Sequence, residues 1–408
     1  MRAVELFAGA GGLGMGLTLA GFSPKAVVEW DKWACDTVRE NVNRGYPLVS
    51  DWPVFEGDVR DWILDFSTTP EADSIDLVAG GPPCQPFSMG GKHRAFLDTR
   101  DMFPATVAIV RTLRPRAFIV ENVKGLTRPT FHNYYQYILG QLRLPSLPPK
   151  PDESWLDHHH RLQQAQSTRA QNGRLAYNVL PTLVNAANYG VPQRRERVFM
   201  VGFRNDLDVK WKFPDETHSL EALLHDQWVS GIYWERHRVV KARRPAMPDS
   251  LKLTIDRIRA LNLPQSKLPW RTVRDAIADL PDPEKAQSTI QYNHKFQPGA
   301  KTYPGHTGSP LDLPAKTLKA GDHGVPGGEN MLVRPDGSVR YFTVREAARL
   351  QTFPDGYIFH GAWTETMRQL GNAVPVALAR IVAASVAEKL IDATVLEELS
   401  RFSEQATG

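Results

Sequence analysis

The chain predicts an α/β fold: an open sheet flanked by helices, followed by a second, smaller and irregular domain. Three observations point there. Over the first 200 of 408 residues, short apolar runs alternate with helical stretches at the spacing of βαβ units. The first run leads directly into a glycine-rich turn, Gly9-Ala10-Gly11-Gly12-Leu13-Gly14. The first five strands each end in a glycine turn, an acid or a thiol. In open α/β sheets ligands gather outside the carboxyl ends of the strands, so five such endings in series read as one lined cleft.

The elements follow in order. Arg2–Phe7 is a strand, and a helix runs from near Gly12 to Ala20. Gly9, Gly11 and Gly14 fit G-x-G-x-x-G, a turn that sets backbone N–H groups and a positive helix end against a cofactor. By itself that turn favours NAD, and such turns also serve only to close-pack a helix on a strand. The second strand, Lys25–Val28, ends in Glu29-Trp30-Asp31. An acid about 20 residues past the glycine turn suits the hydroxyls of a ribose. Trp30 could stack on an adenine, and Asp31 could cap the following helix. Asp58 closes the third element and could accept from an adenine amine, although a lone aspartate there more often shapes a turn.

The fourth strand, Ile75–Ala79, delivers Gly80-Gly81-Pro82-Pro83-Cys84-Gln85-Pro86-Phe87-Ser88. Glycines turn the backbone and prolines stiffen it, so one thiol is held at a strand end. An isolated cysteine in such a loop is more often a packing residue; its neighbours here favour a nucleophile. Residues 85–100 hold glycines and bases, a composition suited to a flap that touches phosphates. A helix over Met102–Leu113 leads to the fifth strand, Ala117–Val120, which ends in Glu121-Asn122-Val123.

Residues 144–171, with four prolines and His158-His159-His160, read as a surface insertion. Three adjacent histidines do not share a helix face, so no metal site is expected there. A strand over 176–180 precedes Gln193-Arg194-Arg195-Glu196-Arg197, which opens the next strand. Alternation puts Arg195 and Arg197 on one face, able to grip a substrate oxygen or to pair with Glu121. After about Phe203 the pattern dissolves into scattered Trp, Pro and bases. A capped helix over Thr343–Gln351 and a long terminal helix from Val376 to about Leu399 close the chain.

Charge and cysteine content narrow the function. The net charge is +4, and between 203 and 310 there are 17 Lys and Arg against 13 Asp and Glu, so the whole excess lies in that segment. With Arg236, His237, Arg238, Lys241, Arg243 and Arg244 beside Tyr233 and Trp234, this points to a polyanionic partner. Two cysteines exclude a disulfide scaffold or a cysteine zinc site and suit a reducing, intracellular setting. No leader is expected ahead of the first strand, and no apolar run is expected to span a bilayer, for which about 20 residues are needed.

Taken together, Phe7–Gly14, Glu29-Trp30-Asp31, Gly57-Asp58, Gly81–Ser88, Glu121-Asn122-Val123, Gln193–Arg197, the Arg345–Pro354 helix and Gly371-Asn372 resemble the C5-cytosine DNA methyltransferases of bacterial modification type. The match spans nearly the whole chain in the family's order.

The resemblance implies a Rossmann-like, S-adenosylmethionine-dependent sheet in residues 1–202, a target-recognition domain in 203–365, and a segment, 366–408, returning to the catalytic domain. It implies S-adenosyl-L-methionine as cofactor, contacted by Phe7, Gly9, Gly11, Gly14, Glu29, Trp30, Asp58, Pro82, Asn372 and Ala373. It implies Cys84 as nucleophile, Glu121 on the base at N3 and its amino group, Arg197 on the O2 side, and Arg195 orienting loop and base. Gln85, Ser88, Arg100, Arg236, Arg238 and Arg243 would contact DNA. The implied activity is methyl transfer to C5 of a flipped-out cytosine in duplex DNA. A monomer in the bacterial cytoplasm is implied, with a restriction endonuclease on the same site as a compatible partner. The rivals are a tRNA cytosine methyltransferase of the same family, an inactive DNA-binding regulator, and an NAD oxidoreductase.

Overall fold

The computed structural model describes residues 1–83, 101–167, 173–261, 265–285, 292–304, 307–320 and 328–407. The chain divides into two compact units. One holds Met1–Val184, Glu196–Pro214 and Ala379–Gly408; the other holds Asn185–Arg195 and Asp215–Leu378. The sequence expectation set boundaries at 203 and 366. The division instead falls at 215 and 379, and gives the short stretch 185–195 to the second unit.

The first unit is built on one sheet. Strand β1 (Arg2–Leu6) leads to helix α1 (Gly12–Leu19), and β2 (Ser23–Glu29) to α2 (Lys32–Asn43). Then come β3 (Val54–Glu56), α3 (Val59–Phe66) and β4 (Leu77–Gly80). Helix α4 (Phe103–Leu113) and strand β5 (Ala117–Val123) follow, then α5 (His132–Arg143), α6 (Trp155–Ser167), β6 (Tyr177–Asn185) and β7 (Glu196–Arg204). The strand order is β3-β2-β1-β4-β5-β7-β6. The strands from β1 to β5 pair in parallel, and β7 runs antiparallel to β5. Order reverses between β1 and β4, the switch point at which such sheets open a crevice. Glu5 and the strand-end Glu121 and Asn122 apart, the central strands are apolar without alternation, as strands covered on both faces must be.

Helix α6 changes the reading of 144–171 as a surface insertion. His158 is buried, with Nε2 2.8 Å from the Leu147 carbonyl and Nδ1 2.9 Å from the Tyr137 hydroxyl. A carbonyl can only accept, so Nε2 carries the proton and Tyr137 donates to Nδ1. The three histidines do point differently: His158 in, His160 out.

The second unit has little regular structure. It contains β8 (His218–Ser219), α7 (Leu220–Trp228), α8 (Ile232–Arg236), α9 (Asp249–Leu261), β9 (Leu268–Pro269) and α10 (Val273–Ile277). Further on lie β10 (Ser309–Pro310), β11 (Met331–Val333), β12 (Val339–Tyr341), α11 (Val344–Leu350) and α12 (Trp363–Asn372). Two small apolar clusters in it are Leu223 with Tyr233 and Trp234, and Leu224 with Ile255 and Ile258.

The terminal helix α13 (Val376–Thr407) is longer than expected. In the first unit, a Cβ on Gly16 of α1 would lie 2.3 Å from that of Ala379, so glycine lets the two helices touch. By length and composition, Trp363–Ser400 could cross a bilayer, which the sequence reading did not foresee; 67% of its apolar window is buried in the protein.

Candidate active site at the strand ends

Beyond β1 the backbone is contorted. Phe7 has φ 55°, Gly9 55° and Gly11 83°, all left-handed. For phenylalanine that conformation costs about 1–3 kcal/mol, and strain of this kind clusters at functional sites. Glu29, at the end of β2, holds the turn: Gly9 N donates to its Oε2 at 2.7 Å, and Trp30 N and Asp31 N donate to Oε1 at 2.9 and 2.8 Å. A carboxylate offers about four acceptor sites, so one remains, on Oε2. Burial raises the pKa of Glu29 against the pull of its N–H donors. Trp30 is 73% exposed at this edge, and Asp31 caps α2 by accepting from Ala34 N at 2.9 Å.

Gly14 does different work from Gly9 and Gly11. A Cβ there would lie 2.2 Å from Glu5 Oε2 and 2.7 Å from the Trp52 ring. Its glycine is a packing requirement of α1 over β1. Glu5 itself is fully buried, accepts from Gly14 N at 2.8 Å through Oε1, and leaves Oε2 without a partner. Burial pushes its pKa up to about 8. Asp58 is the N-cap of α3, accepting from Arg60 N at 2.8 Å, and its carboxylate is also gripped by the Arg60 guanidinium.

The ends of β4 and β5 meet in a second cluster. Glu121 and Arg197 lie on adjacent antiparallel strands, where Arg197 faces Val123 and so shares a face with Glu121. Arg197 Nε stands 2.9 Å from Glu121 Oε1, both side chains being about nine-tenths buried. Burial lowers the pKa of Arg197 and Glu121 opposes it. Asn122 turns its amide the other way, its Nδ2 donating to the Pro82 carbonyl at 2.9 Å. A Cβ on Gly81 would lie 3.2 Å from Glu121 Oε2. The backbone two residues before Cys84 is therefore pinned beside the Glu121–Arg197 pair. Cys84, Gln85, Ser88 and Arg100 lie outside the described residues.

Arg195 precedes β7 rather than standing on it, and belongs to the second unit. It is fully buried and donates to the carbonyls of Leu318 and Gly371, at 3.2 and 2.8 Å. Gln193 accepts from Leu318 N at 3.0 Å and donates to Gln351 Oε1 at 3.1 Å. Gln351 in turn donates to the Leu370 and Ala373 carbonyls. Arg195, Gln193 and Gln351 thus tie Thr317-Leu318, α11 and the Gly371–Ala373 segment into one buried polar knot. Asn372 is exposed and Ala373 buried.

Of the basic residues, Arg238 and Arg243 are exposed. Arg236 is partly committed: its Nη2 lies 3.0 Å from Asp275 and its guanidinium sits 5.4 Å over the Tyr233 ring. Burial would raise the pKa of Asp275, but His237, Thr272 and Arg236 hold it at about 2.

Sequence reasoning missed Glu5, Gln193 and Gln351 as site-building residues, and α12 altogether. For Glu5 a signal existed: an acid in an otherwise apolar central strand, two residues before Phe7.

A family model described as C-5 cytosine-specific DNA methylase matches residues 1–144 and 155–388. The Type II methyltransferase M.Eco47II of Escherichia coli is 30% identical over 395 residues, covering 95% of this chain and 79% of the relative. The Type II methyltransferase M.NgoMIV of Neisseria gonorrhoeae is 29% identical over 391 residues, covering 95% and 97%. In fold, a crystal structure of DNMT2 from Spodoptera frugiperda aligns with TM-score 0.54 at 14% identity, covering 96% of this chain and 99% of that one. Strand-end glycines, acids and a pinned loop before a cysteine, under a match of this extent, lead to one statement: the chain belongs to the C-5 cytosine-specific DNA methylase family and is a DNA cytosine methyltransferase.

Proposed function

We propose that the protein methylates C5 of a cytosine flipped out of a specific duplex DNA sequence, through a covalent bond from Cys84 to C6, as the modification enzyme of a restriction-modification system. The observation that carries this is the pinning of Pro82 by Asn122, which fixes the chain leading to Cys84 beside Glu121 and Arg197. C5 of cytosine is a poor nucleophile. Addition of the Cys84 thiolate to C6 makes C5 enamine-like, and Glu121, hydrogen-bonded at N3 and the amino group, stabilises the charge that develops. Arg197 holds the O2 side. Once C5 carries the methyl group, a base takes its proton, the C–H electron pair re-forms the C5–C6 double bond, and the C6–S bond breaks to release the Cys84 thiolate. C5 is unreachable in a stacked duplex, so the base must leave the helix.

S-Adenosyl-L-methionine would supply an electrophilic sulfonium methyl. The residues fit it: the remaining acceptor site of Glu29 suits a ribose hydroxyl, exposed Trp30 suits an adenine face, and Gly9 leaves the turn open. Phe7 and Pro82 would line the same pocket. Asp58 would read the adenine amine, and Gly14 would keep α1 close to β1. Arg195 is a positioning residue in this reading, since its guanidinium is spent on carbonyls. Residues 203–365 would recognise the target, with Arg238 and Arg243 on phosphates and Arg236 steadied by Asp275. Gln85, Ser88 and Arg100 would close over the flipped base.

DNA carrying 5-fluorocytosine tests the core of this reading. With cofactor added, it should become covalently attached to the wild-type protein and remain free with Cys84→Ser. Absence of the adduct, while both cofactor and DNA bind, would refute the mechanism. Bisulfite sequencing of DNA from expressing cells would give the sequence context.

A further inference from the structure

A cavity of about 320 Å³ lies within the first unit, away from the strand ends, between α4, α5, α6 and the proline loop over 144–151. Its loop wall, Leu147, Pro148 and Pro149, falls in residues 145–154, the stretch that the family match passes over. The volume lies within the range of small-molecule sites, about 300–1,000 Å³.

Its polar lining is unbalanced. The Leu147 carbonyl already accepts from His158, the Pro148 carbonyl from Arg161 at 2.8 Å, and the proton of Tyr137 is committed to His158. Donors remain. Gln141 is 4% exposed, lines the cavity, and its Nε2 has no hydrogen-bond partner among the described residues. A buried donor left unpaired costs about 1–3 kcal/mol. Arg111, on the same wall, has among the described residues only a long contact, 3.5 Å, to the Pro145 carbonyl. The other surfaces are flat and apolar: Pro104, Val107 and the two loop prolines.

We propose that this cavity is a binding site for a small carboxylic acid with a flat apolar body, its carboxylate accepting from Gln141 Nε2 and Arg111. The unpaired amide sets the place of the acceptor, the guanidinium sets its charge, and the proline walls set the shape of the remainder. The site is built on the loop over 145–154, away from the strand-end residues.

Phenylacetate is the probe, with phenylacetamide as its neutral isostere, measured by saturation-transfer NMR and calorimetry on the full chain. Phenylacetate should bind saturably, and phenylacetamide at least about tenfold more weakly, since a hydrogen bond to a charged group outweighs a neutral one by that much. Gln141→Leu and Arg111→Met should each weaken phenylacetate by about tenfold. Both lie apart from the strand-end residues, so DNA methylation and the melting temperature confirm folding. If Gln141→Leu does not fold, Arg111→Met carries the same comparison. No saturable phenylacetate binding, or equal binding by the amide and by the variants, overturns the proposal.

Discussion

Arg195 and Arg197 stand two residues apart and do unlike work. Arg197, in the first unit, meets a carboxylate; Arg195, in the second, meets two backbone carbonyls. The contrast extends to the units that hold them. The first places buried polar groups at the ends of regular strands, where the sheet fixes their direction. The second, poor in strands, uses Arg195 and Gln351 in place of a ladder to satisfy the carbonyls of Leu318, Gly371 and Leu370, and Gln193 to accept from the Leu318 N–H. Alternation along a strand predicts where a side chain points, but says nothing of a residue just before the strand begins.

The sharpest way to break this comparison is Arg197→Met. It strands the Glu121 carboxylate in a buried setting, which costs about 3–5 kcal/mol. Denaturant unfolding should show that loss, and methylation should disappear with it. A variant that melts like the parent would mean Glu121 has another cation.

Next comes an acid with no cation partner at all among the described residues. Glu5 holds its proton up to about pH 8 in the folded protein, against an ordinary value of 4.5. The unfolded chain releases that proton near 4.5. The sign follows: between pH 4.5 and 8 folding takes up a proton, so this group's contribution to stability falls as pH rises, and levels off above 8. At about 1.4 kcal/mol per pKa unit, the total is a few kcal/mol. Glu5→Gln should therefore gain on the parent steadily from pH 5 to 8 in paired melting curves. A constant gap would show that Glu5 is ionised in the fold.

Arg195→Lys is smaller. Lysine keeps the charge but cannot fork to both carbonyls, which forfeits one charge-assisted bond, about 1.5–3 kcal/mol. Melting should drop by that amount, while the rate of methylation, measured well below the melting point, stays within about tenfold of the parent. Loss of methylation in a fully folded Arg195→Lys protein would move Arg195 from positioning to chemistry.

The same contrast explains what was legible in the sequence. Glu29, Asp31 and the Glu121 strand were readable because glycine turns, caps and apolar runs act over a few residues. The α11 cap was readable too: Thr343 and Glu346 form the capping box their spacing implies. The Asn122–Pro82 bond spans 40 positions, Gln193–Gln351 158 and Arg195–Gly371 176, and no local pattern encodes such pairings. The His158 region was read as surface because its prolines look like a loop, whereas Tyr137 and Trp155 draw it inward. The α9 and α12 helices were lost among prolines and bases.

The smallest expected effects come from two helix caps, one in each unit. Removing a cap costs about 0.5–2 kcal/mol wherever it sits. Asp58→Ala removes the α3 cap, which is partly exposed and held by Arg60; Thr343→Ala removes the α11 cap, which is buried and backed by the Arg340–Glu346 pair. Thr343→Ala should therefore destabilise more, near the upper end of that range, and leave cofactor affinity untouched. Asp58→Ala should destabilise less, near the lower end of that range. If its carboxylate also reads the adenine amine, calorimetry should show S-adenosylmethionine binding weakened about tenfold, the value of one charge-assisted hydrogen bond. Equal cofactor affinity in the two variants would leave Asp58 as a cap and nothing more.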